Sequence, residues 1–157
     1  MPAHHDRIRR TPDRVADRPT WLISRVFGRS SSLLFGAFDA RGDGLRGYHY
    51  RLLAALEQWG PASQADLGRD TGIDRSDVTA VLADLEAREL VVREVDPNHK
   101  RRKIVTLTAD GLAALRDLDR TVDDVQDVVL APLSANQRKQ FLSLLARLVD
   151  DDTAKNG

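Results

Sequence analysis

The side chains best suited to chemistry fall in three short stretches. Arg75, Ser76, Thr79 and Ala80 share one face of the helix read from TGIDRSDVTAVLADLEAREL, residues 71–90. On that face Arg75 can pair with guanine O6 and N7, and Ser76 and Thr79 can reach bases or phosphate. Ala80 and Ala83 are small enough for close approach to a thymine methyl. Asp74 opens this candidate DNA-binding face and can also accept from the unpaired N–H groups of the helix start. Ser63 and Gln64 open a shorter helix, whose free N–H groups and side chains can hold a phosphate. Lys100, Arg101, Arg102 and Lys103 form a cationic run from which an arginine can enter a narrow minor groove. Each feature has a plainer explanation. Four cations on a turn are often only solvated, and Asp74 and Asp77 repel phosphate, their position being explained by capping and the helix dipole.

No catalytic centre can be assembled. The sequence has no glycine-rich phosphate loop, nucleophile elbow or His/Glu metal motif. The four histidines, at 4, 5, 49 and 99, lack ligand spacing, and His4 and His5 read as tail residues. Cysteine is absent, which removes disulfides, thiolate metal sites, cysteine nucleophiles and thiol redox sensing. The expectation is a non-enzymatic protein needing no cofactor or metal.

The elements that must position these residues follow from periodicity. Gly72 can adopt positive φ and stop a helix, and Ile73 and Val78 stand at the two ends of a hydrophobic staple. Val78, Val81, Leu82 and Leu85 make one apolar stripe, which leaves the polar face above to point outward. A short turn setting a second helix at a fixed angle is the arrangement of a helix-turn-helix. Ser63 caps the shorter helix, SQADLGRDT, anchored by Leu67. After Leu90, Val91, Val92 and Val95 precede the turn Asp96-Pro97-Asn98. The cationic run and Ile104-Val105-Thr106-Leu107 then complete a two-stranded hairpin, a wing with Lys100–Lys103 at its tip.

Helices flank this unit. Thr20 caps one that reaches about Ala40, and Arg41-Gly42-Asp43-Gly44 is a turn. A second helix runs from about Leu45 to Trp59. Thr108 caps a later one whose Leu115, Leu118, Val122, Val125 and Val129 repeat as a coiled-coil seam until Pro132. Ser134 with Gln137 is a capping box for a last helix bearing Phe141, Leu144, Leu145 and Leu148. The fold expected is mainly α with a small β-hairpin: a winged helix-turn-helix lobe at 45–108, flanked by helical segments at 20–41 and 108–150. Residues 1–19, with Arg7, Arg9, Arg10, Arg14 and Arg18, read as a flexible basic arm, and 151–157 as a polar tail.

The 157 residues suit one domain. Net charge is zero, 24 basic against 24 acidic side chains, so overall charge gives no argument for nucleic acid. The apolar runs are too short to span a membrane and the N-terminus lacks a secretory pattern, so a cytoplasmic protein is expected.

From about Leu22 to Val149 the chain resembles the MarR family, the multiple-antibiotic-resistance type of bacterial transcription regulator. The resemblance rests on SQADLGRDTGIDRSDVTAVLADLEARELV and DPNHKRRKIVTLTADG. The second is similar to the family's wing signature, DPxDRR followed by a strand ending LTxxG. The resemblance implies a homodimer built by the first and last two helices, reading an inverted-repeat operator in double-stranded DNA, usually as a repressor released by a small aromatic or phenolic effector. It places the wing arginine on Arg101. His99 replaces the family's usual Asp, which leaves Asp96 to orient that arginine. Lys100 replaces an Arg, Glu89 a Gly, and Ala80 a longer polar residue. Trp21, Arg25, Tyr48 and His49 lie near where an effector would bind, with core or dimer packing as their plainer role. Two alternatives stay open: a winged module used for protein contact without an operator, and a ligand-independent DNA-binding regulator.

Overall fold

The computed structural model describes residues 11–150. Most of the proposed basic arm, with His4 and His5, and the tail at 151–157 lie outside the described residues. The helices are α1 (Asp13–Ala16), α2 (Pro19–Arg41), α3 (Gly47–Trp59), α4 (Gln64–Thr71), α5 (Arg75–Ala87), α6 (Ala109–Leu130) and α7 (Ala135–Asp150). The strands are β1 (Ala62–Ser63), β2 (Val91–Asp96) and β3 (His99–Leu107). Mainly helical with a small antiparallel sheet, this is the expected architecture.

The expected two-stranded hairpin gains a third strand. Sheet order is β1-β3-β2, with Ala62 opposite Val105 and Ser63 opposite Ile104. The wing is thereby hydrogen-bonded to the residues that open α4. Two starts also differ from the sequence reading. α2 begins at Pro19, not behind a Thr20 cap, because proline is preset for the first helical position and lacks the N–H that would go unpaired. α3 begins at Gly47, because Leu45 N–H donates to Asp43 Oδ1 (3.0 Å) and so belongs to the preceding turn.

One core joins α2, α3, α4, α5, the sheet and the first half of α6. Phe38, Leu52, Leu53, Leu67, Val78, Leu82, Leu85, Val91, Val105 and Leu118 are its fully buried members. Each such burial is worth about 2 kcal/mol. The seam of α6 divides: Leu115 and Leu118 are buried, while Val122, Val125 and Val129 are only partly covered. α7 buries nothing, and Leu142, Leu144, Leu148 and Val149 lie open to solvent. The first turns of α2 do the same with Leu22, Ile23, Val26 and Phe27.

The junction between α5 and the wing is a Schellman closure. Glu89 N–H donates to Glu86 O and Leu90 N–H to Leu85 O, both at 2.9 Å. This closure needs a left-handed residue, and Glu89 supplies it with φ 59, the only non-glycine among the described residues with positive φ. The helix therefore ends as a glycine would end it, at some strain. Thr108 Oγ1 donates to Glu89 O (2.8 Å) and accepts from Gly111 N–H (2.9 Å), tying the start of α6 to this turn.

That tie explains the glycine of the LTADG run. A Cβ at Gly111 would lie 2.0 Å from Leu90 O and 2.7 Å from Leu107 Cδ1. Gly111→Ala must push α6 off the wing root. Its expected cost is about 3 kcal/mol, read as a lower midpoint in urea unfolding. An unchanged midpoint would contradict the packing described.

Candidate nucleic-acid interface

The recognition surface is set by what α5 buries. Val78, Leu82 and Leu85 are fully buried, so Arg75, Ser76, Thr79, Ala80 and Ala83 face solvent as the sequence predicts. Gly72 ends α4 with φ 65, and Ile73 and Val78 both enter the core, as the staple requires. Asp74 does stand at the N-cap of α5, but its side chain makes no capping hydrogen bond; only its carbonyl accepts, from Val78 N–H (2.9 Å). Its exposed carboxylate acts on the helix through the dipole alone.

Side-chain ties hold α5 to its surroundings. Gln64 Nε2 donates to Thr79 Oγ1 (2.7 Å), and Thr79 Oγ1 donates to Arg75 O (2.8 Å). Arg93 Nε donates to Glu86 Oε2 (2.9 Å), joining α5 to β2. At the far end Arg88 Nε donates to Asp84 Oδ2 (2.9 Å), and Arg88 Nη1 to Asp43 O (2.7 Å). Asp43 accepts from Arg41, which also reaches Asp117 and Thr121 on α6. A chain of contacts thus runs from the α2–α6 pair to the end of α5. Arg41, with burial opposing, holds the Asp43 carboxyl below its ordinary value.

Ser63 differs from expectation. It caps α4, accepting from Asp66 N–H (3.2 Å), but it is only 4% exposed and its hydroxyl donates to Asp66 Oδ2 (2.7 Å). Strand β1 draws it into the sheet, so its hydroxyl is not presented to solvent. Gln64 remains accessible beside it.

The wing corrects the sequence reading in two ways. Its tip is Pro97-Asn98, not the cationic run. Val95 pairs with Lys103 and Asp96 with His99, so residues 100–102 bulge from β3 between successive residues of β2. Nor does Asp96 orient Arg101. Its Oδ1 accepts from Asn98 N–H (2.8 Å), and its Oδ2 lies 3.9 Å from Arg102 Nε. Lys100 and Arg101 are exposed and form no ion pair among the described residues. Between wing, α4 and the start of α5 lies a groove of about 870 Å³, lined by residues that include Gln64, Arg69, Arg75, Arg101, Arg102 and Lys103. Cations on three elements surround one concave surface, although the whole chain is neutral.

Residues 43–102 match the profile of the MarR family. Along 142 residues the chain is 30% identical to the HTH-type transcriptional repressor NicR of Pseudomonas putida, covering 90% of this chain and 89% of that one. The chain belongs to the MarR family. It is accordingly a winged helix-turn-helix transcription regulator and not an enzyme. Among solved structures it is similar to BpsR of Bordetella bronchiseptica, whose DNA binding is regulated by 6-hydroxynicotinic acid. Identity is 25%, TM-score 0.74, with 89% of this chain and 99% of that one covered. It is also similar to PcaV of Streptomyces coelicolor in complex with its natural ligand, at 27% identity and TM-score 0.69, covering 90% and 97%. Among the described residues, no helix is long and apolar enough to cross a membrane and no group of side chains is placed to hold a metal.

In this MarR-family chain the four effector candidates do not converge. Trp21 lies under Arg25, 5.7 Å from guanidinium carbon to ring centre, near the start of α2. Twenty residues of helix, about 30 Å, separate it from Arg41 and the loop that leads to Tyr48. Exposed Tyr48 lies under Arg51 instead (5.9 Å). His49 is 8% exposed; its Nδ1 accepts from Arg46 N–H (3.0 Å) and its Nε2 meets Asp84 Oδ2 (2.8 Å). Both ring nitrogens are engaged, so His49 joins α3 to α5 and has none left for a ligand. A separate cleft of about 440 Å³ between α2 and α6 is lined by Leu33, Ala37, Ala40, Arg41, Thr121, Asp124, Val125 and Val128, and holds none of the four.

The His49 junction makes stability depend on pH. Burial pushes the imidazole below its ordinary value, against the opposing pull of Asp84. The folded state therefore disfavours protonation, and protonated Nδ1 can no longer accept from Arg46. The contribution is complete above the unfolded value of 6.5 and is lost as pH falls below it toward the folded value. Thermal midpoints should fall between about pH 7.5 and about pH 5, and His49→Gln should flatten that interval. An equally steep fall in His49→Gln would contradict the assignment.

Proposed function

We propose that this chain is a homodimeric repressor that binds an inverted-repeat operator in double-stranded DNA and is released by a small aromatic acid. The observation that carries the reading is the outward face of α5, with Arg75, Ser76, Thr79 and Ala80, set beside a wing whose Lys100 and Arg101 are unpaired. A 13-residue helix about 20 Å long, with small side chains outward, fits a major groove about 12 Å wide. Gln64, at the start of α4, and the wing cations would then meet the flanking phosphates, with Arg102 and Lys103 closing the groove. Asp74 would exclude a phosphate from the first turn of α5.

Residues 20–150 are proposed to act as one regulator: 45–108 reads DNA, and 20–41 and 108–150 dimerise. Support comes from the apolar faces of α2 and α7, which one chain leaves uncovered. A two-fold dimer would present two copies of α5 to successive major grooves. Repression and aromatic release draw support from NicR, a repressor, and BpsR, regulated by 6-hydroxynicotinic acid. Trp21 with Arg25 offers a ring to stack on and a cation for a carboxylate; Tyr48, with Arg51, lies too far along the chain to complete the same site. Action on the chromosome would place the protein in the cytoplasm.

Protection of the protein's own upstream region should reveal an inverted repeat. Arg75→Ala should cost about 1–3 kcal/mol there and relax sequence preference, while Arg101→Ala should weaken all duplexes and lower the salt slope by about one. A panel of aromatic acids should contain one class that releases the complex. Retention against the whole panel would point to a ligand-independent regulator. Indifference to both substitutions would point to a winged module used for protein contact.

A further inference from the structure

The four cations of the wing are not equivalent. Residues 100–102 bulge out of the ladder, so no strand pairing holds them in place. Arg102 alone of the three is tied back. Its guanidinium donates to Asp66 Oδ2 on the first turn of α4 and approaches Asp96 Oδ2, at the wing's own turn, to 3.9 Å. Asp66 is itself fixed: Ser63 Oγ donates to its Oδ2 (2.7 Å), and Arg69 Nη2 donates to its Oδ1 (2.9 Å). Ser63 is buried in the sheet, so the strut ends on a rigid point of the lobe. The hydroxyl of Ser63 and the guanidiniums of Arg69 and Arg102 hold the Asp66 carboxyl below its ordinary value, and it stays ionised.

We infer that Arg102 is a positioning residue: it braces the wing bulge against α4 through Asp66, so that Lys100 and Arg101 are presented to the duplex. The inference rests on the reading of α5 and the wing as the DNA surface. It also gives Asp66 a role opposite to the one its charge implies. An acid on the rim of a DNA-binding groove would ordinarily repel phosphate; here it holds the element that brings the cations. Arg102 cancels that charge while it braces. The pair is partly exposed, so its worth is in where it holds the bulge rather than in added stability.

The test measures binding to a mixed-sequence duplex of about 30 base pairs across a salt series, since the wing's contribution does not depend on sequence. Four full-length variants are compared: Arg101→Ala, Arg102→Ala, Asp66→Asn and the double variant of Arg102 and Asp66. Arg101→Ala should weaken binding and lower the salt slope by about one. Asp66→Asn should also weaken binding, by about threefold or more, although it removes a negative charge from the interface. The double variant should bind no more weakly than Arg102→Ala alone, as expected for two ends of one brace. Thermal melts identify any variant that fails to fold, in which case Asp66→Glu replaces Asp66→Asn and should bind as the parent does. Tighter binding by Asp66→Asn, additive losses, or unchanged binding by Arg102→Ala would overturn the inference. Unchanged binding by Arg101→Ala would instead overturn the reading of the wing.

Discussion

Burial of Val78, Leu82 and Leu85 decides how α5 is rotated, and nearly everything else in the lobe depends on that rotation. With those three side chains fully buried, Arg75, Ser76, Thr79, Ala80 and Ala83 are turned outward. The two ends of the helix are then fixed by backbone geometry. Gly72 turns the chain into it and Glu89 turns the chain out, each with positive φ. Polar contacts add direction to this apolar constraint. Gln64 reaches Thr79, Arg93 reaches Glu86, and Arg88 reaches Asp84 and the Asp43 carbonyl. The α2–α6 pair is connected to the end of α5 by contacts through Arg41, Asp43 and Arg88.

Charge in this protein works by placement. The chain is neutral overall, yet Arg69, Arg75, Arg101, Arg102 and Lys103 line a single groove. The acids among them are matched by partners or by helix ends: Asp66 by Arg69 and Arg102, Asp74 by the N-terminus of α5. Such a surface puts most of its cations on the wing and α4, at the edges, and leaves Arg75 as the cation of the α5 face. Under the proposed function, affinity independent of sequence would come from the wing and discrimination from α5.

Much of this was legible in the sequence because it is local. The caps at Ser63, Thr108 and Ser134, the glycine turn at Gly72 and the stripe on α5 all follow from residues within a few positions of each other. What escaped is tertiary. Strand β1 is two residues long and has no periodicity; only its partners Ile104 and Val105 make it a strand. Nothing local separates Arg102 from Arg101, because the carboxylate that distinguishes them, Asp66, is 36 positions away. Nothing local marks His49 as occupied, because Asp84, which takes its Nε2, is 35 positions away. The open faces of α2 and α7 were visible as stripes, and a single chain leaves them uncovered.

The proposed function requires α5 and the wing to form one surface for duplex DNA. Backbone amide shift mapping of the full-length protein, with and without an inverted-repeat duplex, would locate that surface residue by residue. Perturbations should concentrate at Gln64, at 75–80 and at 99–103, with the buried stripe of α5 and the outer surface of α6 little changed. Perturbations centred on α3 or α6, with 75–80 silent, would contradict it.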